Sequence, residues 1–451
     1  MPQMSCKREL TEEDKGEAQS HSGSVETPTA GSGIGHSGGE ASMEAVVARD
    51  NLFKAFHRVK QNKGSPGVDG MTVGELDAYL REHWVAIREQ LLMGCYQPSP
   101  VKRANIPKSS GGMRELGIPT VLDRFIQHAV LQVLGPLFDP TFSNSNYGFR
   151  PGKSAHQAVL AARDLVAGGR RFVVDMDLEK FFDRVNHDVL MGRLEKRVKD
   201  KRILGLVRRY LEAGVLLQGV AMERHEGTPQ GGPLSPLLAN VLLDEVDKVL
   251  EKRGHRFVRY ADDCNVYVAS QRAGQRVMAL LRRLYGNLRL KVNESKSAVD
   301  KAVRRKILGY SMWWGPKGTA KLRVAPKAKE AMMQKVRDIT GRSKGQSIQK
   351  VAEDLRQFLV GWKNYFSLAE TPRIFLELDG WIRHRLRQIH LRQWKRGPTI
   401  YRELTARGVP DWQARAIAAN SHRWWRNSAK NLNGALPNKY FDSLGVPKLA
   451  G

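Results

Sequence analysis

Two apolar segments of this chain run directly into acidic residues, and this feature constrains the fold more than any other. The segment RRFVVDMDL (170–178) contains Asp175 and Asp177, and HRFVRYADDCNVYV (255–268) contains the adjacent acids Asp262 and Asp263. The first segment is typical of a buried strand, and the second of a hairpin with its acids at the turn. Adjacent carboxylates repel each other unless a cation lies between them. Two strands that bring carboxylates to one place therefore predict a site for divalent cations.

These acids belong to a strongly basic chain. Its 451 residues carry a formal net charge of +28. An excess of positive charge of this size destabilises a compact fold by self-repulsion unless a negatively charged partner is bound. It therefore favours polyanionic partners. Nucleic acid is the first partner class that the charge indicates, and a solvated basic surface is the alternative.

Cysteine content and hydropathy exclude several classes of protein. The residues Cys6, Cys95 and Cys264 form no Cys-x-x-Cys pair and have no histidine at zinc-ligand spacing, so no zinc site is predicted. The N-terminal residues lack the apolar core of a signal peptide, and no later stretch is apolar for the length of a membrane span. These features predict a protein of the reducing cytoplasm without a membrane partner.

Composition divides the chain into four parts. Residues 1–43 are rich in Gly, Ser, Glu and Thr and cannot bury a core, which predicts a disordered tail. Residues 44–315 alternate helical stretches with short strands, as in a mixed α/β domain. In residues 316–396 the strand signals fade, and three amphipathic helical patterns follow, each opened by Pro or Ser. Residues 397–451 form a basic C-terminal segment.

The paired acids have a simpler explanation, in which they cap turns or pair with the nearby Arg184 and Arg259. For an isolated Asp-Asp dipeptide this explanation would be preferred. Here, however, the dipeptide is one of several blocks in a fixed order. The blocks are PKSSGGMRELGIPTVLDR (107–124), SNYGFRPGKSAHQAV (145–159), DLEKFFDRVNH (177–187), GTPQGGPLSPLLANVLLDEVD (227–247), YADD (260–263), LKVNESKS (290–297) and ILGY (307–310).

Taken together, the blocks resemble the fingers, palm and primer-grip motifs of reverse transcriptases, and within that family they are most similar to the group II intron reverse transcriptases, or maturases. GWKNYFSLAE (361–370) resembles part of the thumb, called domain X, and SHRWWRNSAKNLNG (421–434) the start of a DNA-binding segment. The resemblance implies an α+β, right-hand polymerase. Its fingers and palm, an antiparallel sheet flanked by helices, would be followed by an α-helical thumb.

The resemblance also implies roles for the acids. Asp177 and Asp262 would be the catalytic residues that bind two Mg²⁺ ions, and Asp263 a more peripheral carboxylate of the same metal site. Asp175 is a rival, because strand geometry points it to the same face as Asp177. The spacing of the family motif, Asp-x-x-x-x-Phe, selects Asp177.

Substrate residues follow from the same motifs. Lys108 and Arg114 flank a Ser-Ser-Gly-Gly turn, where a hairpin would bring two cations to a nucleoside triphosphate; solvated surface cations are the alternative. Phe182 would lie under the incoming sugar and exclude a 2′-hydroxyl, and either it or Phe181 is an ordinary core aromatic. Gln230 would lie beside the new base pair. Lys296 resembles the residue proposed to protonate the leaving pyrophosphate.

The segment WIRHRLRQIHLRQWKR (381–396) interleaves cations with tryptophans, which suits phosphate contact and base stacking. A cationic face on a core helix is the alternative. The predicted RNA-binding residues are Arg383, Arg385, Arg387, Arg392, Lys395 and Arg396.

The implied function is RNA-directed DNA polymerisation from deoxynucleoside triphosphates, with the intron RNA as template, and binding of that RNA to assist splicing and mobility. The implied partners are intron RNA, target DNA, a primer and the triphosphates, with a homodimer left open, in a bacterial cytoplasm or at its nucleoid. Nothing resembles the family's endonuclease domain, so we expect no cleavage of the second DNA strand. The alternatives are a reverse transcriptase of phage defence or diversity generation, and a splicing cofactor with an inactive polymerase.

Overall fold

The computed structural model describes residues 41–107, 113–217, 220–222, 227, 231–341, 345–429 and 432–450. The helices of its first part are α1 (Met43–Val46), α2 (Arg49–Asn62), α3 (Leu76–Met93), α4 (Val121–Phe138), α5 (Ala155–Ala167), α6 (His187–Leu194), α7 (Lys201–Glu212), α8 (Ser235–Lys252) and α9 (Gln271–Asn287). The later helices are α10 (Pro326–Ile339), α11 (Ile348–Tyr365), α12 (Pro372–Trp394), α13 (Gly397–Thr405), α14 (Asp411–Ala419), α15 (Trp424–Ala429) and α16 (Asn438–Ser443).

The strands lie in three sheets within the described residues. The strands are β1 (Val101–Pro107), β2 (Met113–Ile118), β3 (Phe172–Met176), β4 (Val215–Leu217), β5 (Val220–Met222), β6 (Arg256–Tyr260), β7 (Asp263–Val268), β8 (Ala298–Lys301), β9 (Lys306–Ile307), β10 (Tyr310–Trp314) and β11 (Ala320–Val324). The sheet orders are β2-β1-β4-β5, β6-β7-β3-β8 and β11-β10-β9. All pairs are antiparallel except β1 with β4.

Local signals in the sequence account for several helix starts. Thr120 accepts a hydrogen bond from the backbone N–H of Asp123 at the start of α4, and Ser270 does the same for Ala273 in α9. Ser154 forms a capping box with Gln157 at the start of α5. These side chains satisfy backbone donors that the first helical turn leaves unpaired.

The central sheet β6-β7-β3-β8 separates two hydrophobic cores. In the β3–β7 register, Val174 lies opposite Val266 and Met176 opposite Cys264, and these residues pack into a first core with α1–α4 and α6–α9. Val173 and Tyr267 face the other way, into a second core with α5, β10, β11 and α10–α16. Because side chains alternate along a strand, Asp175 and its neighbour Asp177 belong to the face toward the second core.

The α+β class predicted from the sequence is confirmed, with antiparallel strands flanked by helices and a helical C-terminal region. The three predicted C-terminal helices are present as α10, α11 and α12. None of the described helices is long and apolar enough to cross a membrane.

Two of the predicted domain boundaries do not match the packing. The boundary at residue 315 falls inside the β10–β11 hairpin, in which Trp314 pairs with Ala320. The sequence analysis missed β11 although the apolar and charged residues of AKLRV alternate, as is typical of a half-buried strand. The boundary at residue 396 also separates elements of one core, since Leu404, Phe441 and Leu449 pack with α12 residues in the second core. Residues 1–40 of the predicted tail lie outside the described part.

Candidate active site

The strand register brings the predicted acids together. Tyr260 and Asp263 close the β6–β7 hairpin, which leaves Ala261 and Asp262 as its two-residue turn. Met176 pairs with Cys264, so Asp177, one residue further along, lies beside Asp263 on the neighbouring strand. The two acidic segments predicted from the sequence therefore meet at one edge of the central sheet.

The turn has an unusual backbone that its surroundings impose. Ala261 has a φ of 57°, in the left-handed region that alanine rarely adopts. Gly148 packs directly against it, and a Cβ atom at position 148 would lie 2.2 Å from the Ala261 nitrogen. Only glycine permits so close an approach, and the contact fixes the direction in which Asp262 leaves the sheet.

A buried ion pair lies beneath the same turn. Arg259 and Asp247 are both 0% exposed, and the Nε and Nη2 atoms of Arg259 donate to the Asp247 carboxylate at 2.6–2.9 Å. The remaining nitrogen, Nη1, donates to the Ala261 carbonyl and to Asn240 Oδ1, each at 2.9 Å. Arg259 therefore supports the acidic turn through its backbone. Its ion pair is with Asp247, whereas the simpler explanation paired it with the acids of the turn.

The acids of the cluster influence each other electrostatically. Desolvation by the surrounding protein, and then the charges of Asp262, Asp175 and Asp177, raise the pKa of Asp263 to about 7. The carboxylates therefore lie close enough to oppose each other's ionisation. A bound cation would remove that repulsion.

This cluster predicts a pH dependence for the cation-free protein. The folded-state pKa of Asp263 lies above the ordinary value of 3.8, so the folded state binds the proton more tightly and loses stability as the pH rises from about 4 to about 7. We expect Asp263→Asn to remove this loss and to be more stable than the wild type at pH 8 by about 1 kcal/mol, a value reduced for solvent screening.

Thermal unfolding in a chelator at pH 4.5 and pH 8 measures this difference. Adding a divalent cation at pH 8 should stabilise the wild type more than Asp263→Asn. Equal stabilities of the two proteins at pH 8 would contradict the prediction.

Asp177 lies beside Lys296, and hydrogen bonds connect its backbone to the segment that carries Lys296. The backbone N–H of Asp177 donates to Ser297 Oγ at 3.0 Å, and its carbonyl accepts from the Asn293 N–H at 2.9 Å. The Lys296 side chain is 65% exposed, and its Nζ lies 3.8 Å from Asp177 Oδ2. The structure therefore brings together an acid and a cation that the sequence analysis selected from two motifs, 119 residues apart.

Asp175 has a different environment. Its carboxylate accepts two hydrogen bonds from Arg305, at 2.6 and 2.8 Å, and is 20% exposed. This ion pair makes Asp175 a weaker candidate for a metal ligand than Asp177, whose selection by motif spacing remains a prediction.

The donor set fits a divalent cation that prefers oxygen ligands. Within the described residues, no three His, Cys, Asp or Glu side chains close around a metal ion. Magnesium does not require such a cage, since it binds through one or two carboxylates together with water and substrate phosphates. Asp177, Asp262 and Asp263 are hard oxygen donors at one open edge, which suits binding of this kind.

Comparison with known proteins identifies the family. Residues 106–312 match the family described as reverse transcriptase (RNA-dependent DNA polymerase), and residues 329–408 match the group II intron, maturase-specific domain. The group II intron-encoded protein LtrA of Lactococcus lactis subsp. cremoris is 34% identical over 250 residues, which cover 55% of this chain and 41% of LtrA. The chain belongs to the group II intron-encoded reverse transcriptases.

Other similarities cover comparable parts. Protein YkfC of Escherichia coli (strain K12) is 40% identical over 217 residues, or 47% of this chain and 57% of YkfC. The chain thus spans about half the length of these curated relatives. A solved chain of a partial Cas6-RT-Cas1–Cas2 complex is 25% identical, with a TM-score of 0.36, over 55% of this chain and 42% of that one.

Within the reverse transcriptase domain, the two adjacent phenylalanines have separate environments. Phe181 is buried in the first core, whereas Phe182 is half-buried and packs on the edge of that core. Their rings lie edge to face with centroids 5.1 Å apart. Phe181 is thus the core aromatic of the pair, and the role of Phe182 beside the sugar remains a prediction.

The Pro-Gln-Gly block is described at residues 227 and 231–247. A Cβ atom at Gly227 would lie 2.9 Å from the Phe182 carbonyl oxygen, and one at Gly231 would lie 2.8 Å from the Gly117 carbonyl oxygen of β2. The block therefore reaches from the Phe182 region to the predicted fingers. Gln230 itself lies outside the described residues.

The predicted triphosphate cations are described only in part. The β1–β2 hairpin exists, with Pro107 opposite Met113 and Arg114 opposite Ile106. Lys108 lies outside the described residues, and only the backbone of Arg114 is described. Their binding of a triphosphate remains a prediction.

Two of the predicted RNA-binding residues are buried in the maturase-specific domain. Arg383 is 1% exposed and pairs with Asp379 and Asp442 at 3.0 and 2.9 Å. Arg387 is 5% exposed and donates to the Leu436 carbonyl at 2.8 Å. The prediction that these two arginines contact RNA is wrong, because α12 is a central helix of the second core. For both, the alternative of cations on a core helix is correct.

The other four cations extend outward to different degrees. The guanidinium groups of Arg385 and Arg392 lie over the rings of Trp381 and Trp424 at 5.5 and 5.3 Å from the ring centroids. Lys395 and Arg396, at the end of α12, are exposed. RNA binding by these four residues remains a prediction. Lys395 and Arg396 are the better candidates, because their side chains are exposed.

Sequence reasoning missed a contact between the maturase-specific domain and the turn of the predicted primer grip. Tyr365, at the end of α11, donates its hydroxyl to the Leu308 carbonyl at 2.9 Å, and its own carbonyl contacts His156 Nε2 at 2.7 Å. Burial, and then the nearby Tyr260, raise the pKa of Tyr365 to about 12. The maturase-specific domain thus contacts the turn of the predicted primer grip close to the paired acids.

Proposed function

We propose that this chain extends the 3′-hydroxyl of a DNA primer with deoxynucleoside triphosphates, using the parent intron RNA as template. The observation that carries the proposal is the meeting of Asp177 with the Asp262–Asp263 turn at one open edge of the central sheet. The family match supports the same activity. Intact acids at all three positions favour an active enzyme over a splicing cofactor with an inactive polymerase.

In this proposal some residues would bind the metal ions and another would transfer a proton. Asp177 and Asp262 would hold two Mg²⁺ ions, and Asp263 would add negative charge beside them. Bound there, the ions would stabilise the attacking and leaving oxygens of an in-line phosphoryl displacement. Lys296 Nζ lies near Asp177, where it would give a proton to the departing pyrophosphate. Most of the catalysis would come from positioning and charge neutralisation.

A second role in the proposal is binding of the intron RNA to stabilise its splicing-competent form. The match of residues 329–408 to the maturase-specific domain supports this role. It also favours an intron system over phage defence or diversity generation. The RNA itself would carry out the splicing chemistry.

The polymerase proposal is tested by primer extension on poly(rA)/oligo(dT) with the wild-type protein, with Mg²⁺ or with a chelator, alongside binding of intron RNA. We expect extension only with the cation and RNA binding under both conditions. A folded protein that binds the RNA but never extends a primer would overturn the polymerase proposal and leave the splicing cofactor.

The RNA-binding role predicts an effect of the exposed end of α12. We expect Lys395→Ala combined with Arg396→Ala to weaken RNA binding and to lower the slope of log K against log salt by about 2, one for each lost phosphate contact. Filter binding or fluorescence anisotropy at several salt concentrations measures this slope.

A matched control is the double variant Lys252→Ala with Arg253→Ala. These two cations are also exposed at the end of a helix, but the helix is α8, which packs in the first core. That variant should keep the wild-type slope. Equal slopes for both double variants would remove Lys395 and Arg396 from the RNA-binding surface.

A further inference from the structure

Arg305 lies beside the catalytic acids although it belongs to none of the motif blocks. It directly precedes β9, and its Nε and Nη2 atoms donate to Asp175 Oδ2 at 2.8 and 2.6 Å. The same Nη2 donates to the Lys296 carbonyl at 2.7 Å. One guanidinium therefore joins an acid of β3 to the segment that carries the predicted proton donor.

The first contact concerns the charge of the acid cluster. Asp175 shares a face of the central sheet with Asp177 and is one of the charges that act on Asp263. Without Arg305 it would be one more carboxylate able to attract a cation at that edge. The planar guanidinium directs two donors to one oxygen of Asp175, Oδ2, and the single ammonium group of a lysine cannot reproduce this geometry.

The second contact concerns the position of Lys296. Two hydrogen bonds connect the segment 293–297 to the backbone of Asp177. The Asn293 N–H donates to the Asp177 carbonyl at 2.9 Å, and the Asp177 N–H donates to Ser297 Oγ at 3.0 Å. The hydrogen bond from Arg305 to the Lys296 carbonyl is a third restraint on this segment. It restrains the backbone of Lys296, whose Nζ lies 3.8 Å from Asp177 Oδ2.

We propose that Arg305 is a positioning residue of the polymerase site, which keeps Asp175 from competing for the catalytic cations and holds Lys296 beside Asp177. The proposal rests on the polymerase function proposed above. The first part predicts a change in cation binding when Arg305 is lost, and the second predicts a slower chemical step.

The test compares Arg305→Gln with Arg304→Gln, a matched control because Arg304 is the adjacent arginine, is 67% exposed and lies 3.7 Å from Asp300 on the surface. We expect Arg305→Gln to lower kcat for primer extension by about 10- to 100-fold, the usual cost of losing a group that orients a metal site. The KM for the triphosphate should change less than kcat. Arg304→Gln should extend primers like the wild type.

Binding of Mn²⁺ alone, followed by electron paramagnetic resonance without primer or triphosphate, gives a readout independent of activity. Arg305→Gln should bind Mn²⁺ more tightly than Arg304→Gln, and adding Asp175→Asn to Arg305→Gln should reverse this increase. Arg305→Lys keeps a cation beside Asp175 but loses the fork, so its Mn²⁺ affinity should stay near that of the wild type while kcat falls. This variant also keeps the test informative if Arg305→Gln fails to fold.

An Mn²⁺ affinity of Arg305→Gln equal to that of Arg304→Gln would overturn the competition part, and an unchanged kcat of the Arg305 variants would overturn the positioning of Lys296. Failure of the polymerase proposal itself would be seen separately, as absence of extension by the wild type. In that case the Mn²⁺ measurements still decide whether Arg305 withholds Asp175 from the cation.

Discussion

Asp177→Asn and Asp262→Asn are each expected to lower primer extension by about 1,000-fold or more while leaving RNA binding intact. Asparagine has nearly the shape of aspartate, so each change removes the charge that holds a cation and little else. Loss of a few kcal/mol of charge stabilisation in the transition state corresponds to a rate loss of about this size. Single-turnover extension of a labelled primer, with RNA binding measured on the same preparations, gives both quantities.

The order of the effects tests the assignment of the ligands. Asp263→Asn should extend more slowly than the wild type but faster than Asp262→Asn, because Asp263 is assigned a peripheral role. Asp188→Asn is the control, since Asp188 is 75% exposed and pairs with Arg208 on the surface. If Asp263→Asn lost more activity than Asp262→Asn, the two adjacent acids would exchange their roles.

The sequence predicted the parts of this site that depend on local pattern. The apolar runs before Asp177 and Asp262 predicted β3 and the β6–β7 hairpin, and all are present. Period-two alternation also placed Asp175 on the face of Asp177. Such features are readable because one short segment both forms the element and carries the functional residue.

Contacts between distant segments could not be predicted in this way. Arg305 and Asp175 are separated by 130 residues, and Arg383 and Asp442 by 59. A cation in an amphipathic helix looks the same in sequence whether it pairs with a buried acid or contacts RNA, which is why Arg383 and Arg387 were misassigned. One local signal was available: Gly148 in SNYGF marks a close backbone approach, although not the segment approached.

Variants of the buried ion pair between Arg259 and Asp247 should show that its effect on stability is separable from its effect on catalysis. We expect Arg259→Met to destabilise the fold by about 3–5 kcal/mol, because it leaves the Asp247 carboxylate buried without its partner. Adding Asp247→Leu should recover most of that loss, since replacing both members of a buried ion pair by apolar residues is often nearly neutral. Urea unfolding measures both steps, and Arg208→Met, which breaks an exposed pair with Asp188, should cost less than about 1 kcal/mol.

Primer extension should not recover with stability. The Arg259→Met/Asp247→Leu variant still lacks the donor to the Ala261 carbonyl, so nothing replaces the bond that restrains the turn carrying Asp262. We expect its extension rate to stay at least about 10-fold below that of the wild type, as for other lost groups that orient metal ligands. A stable double variant with wild-type extension would show that Gly148 and the hairpin alone fix the turn. A stable but slow variant would show that the buried charge is retained because it orients the acids, and that its contribution to stability is secondary.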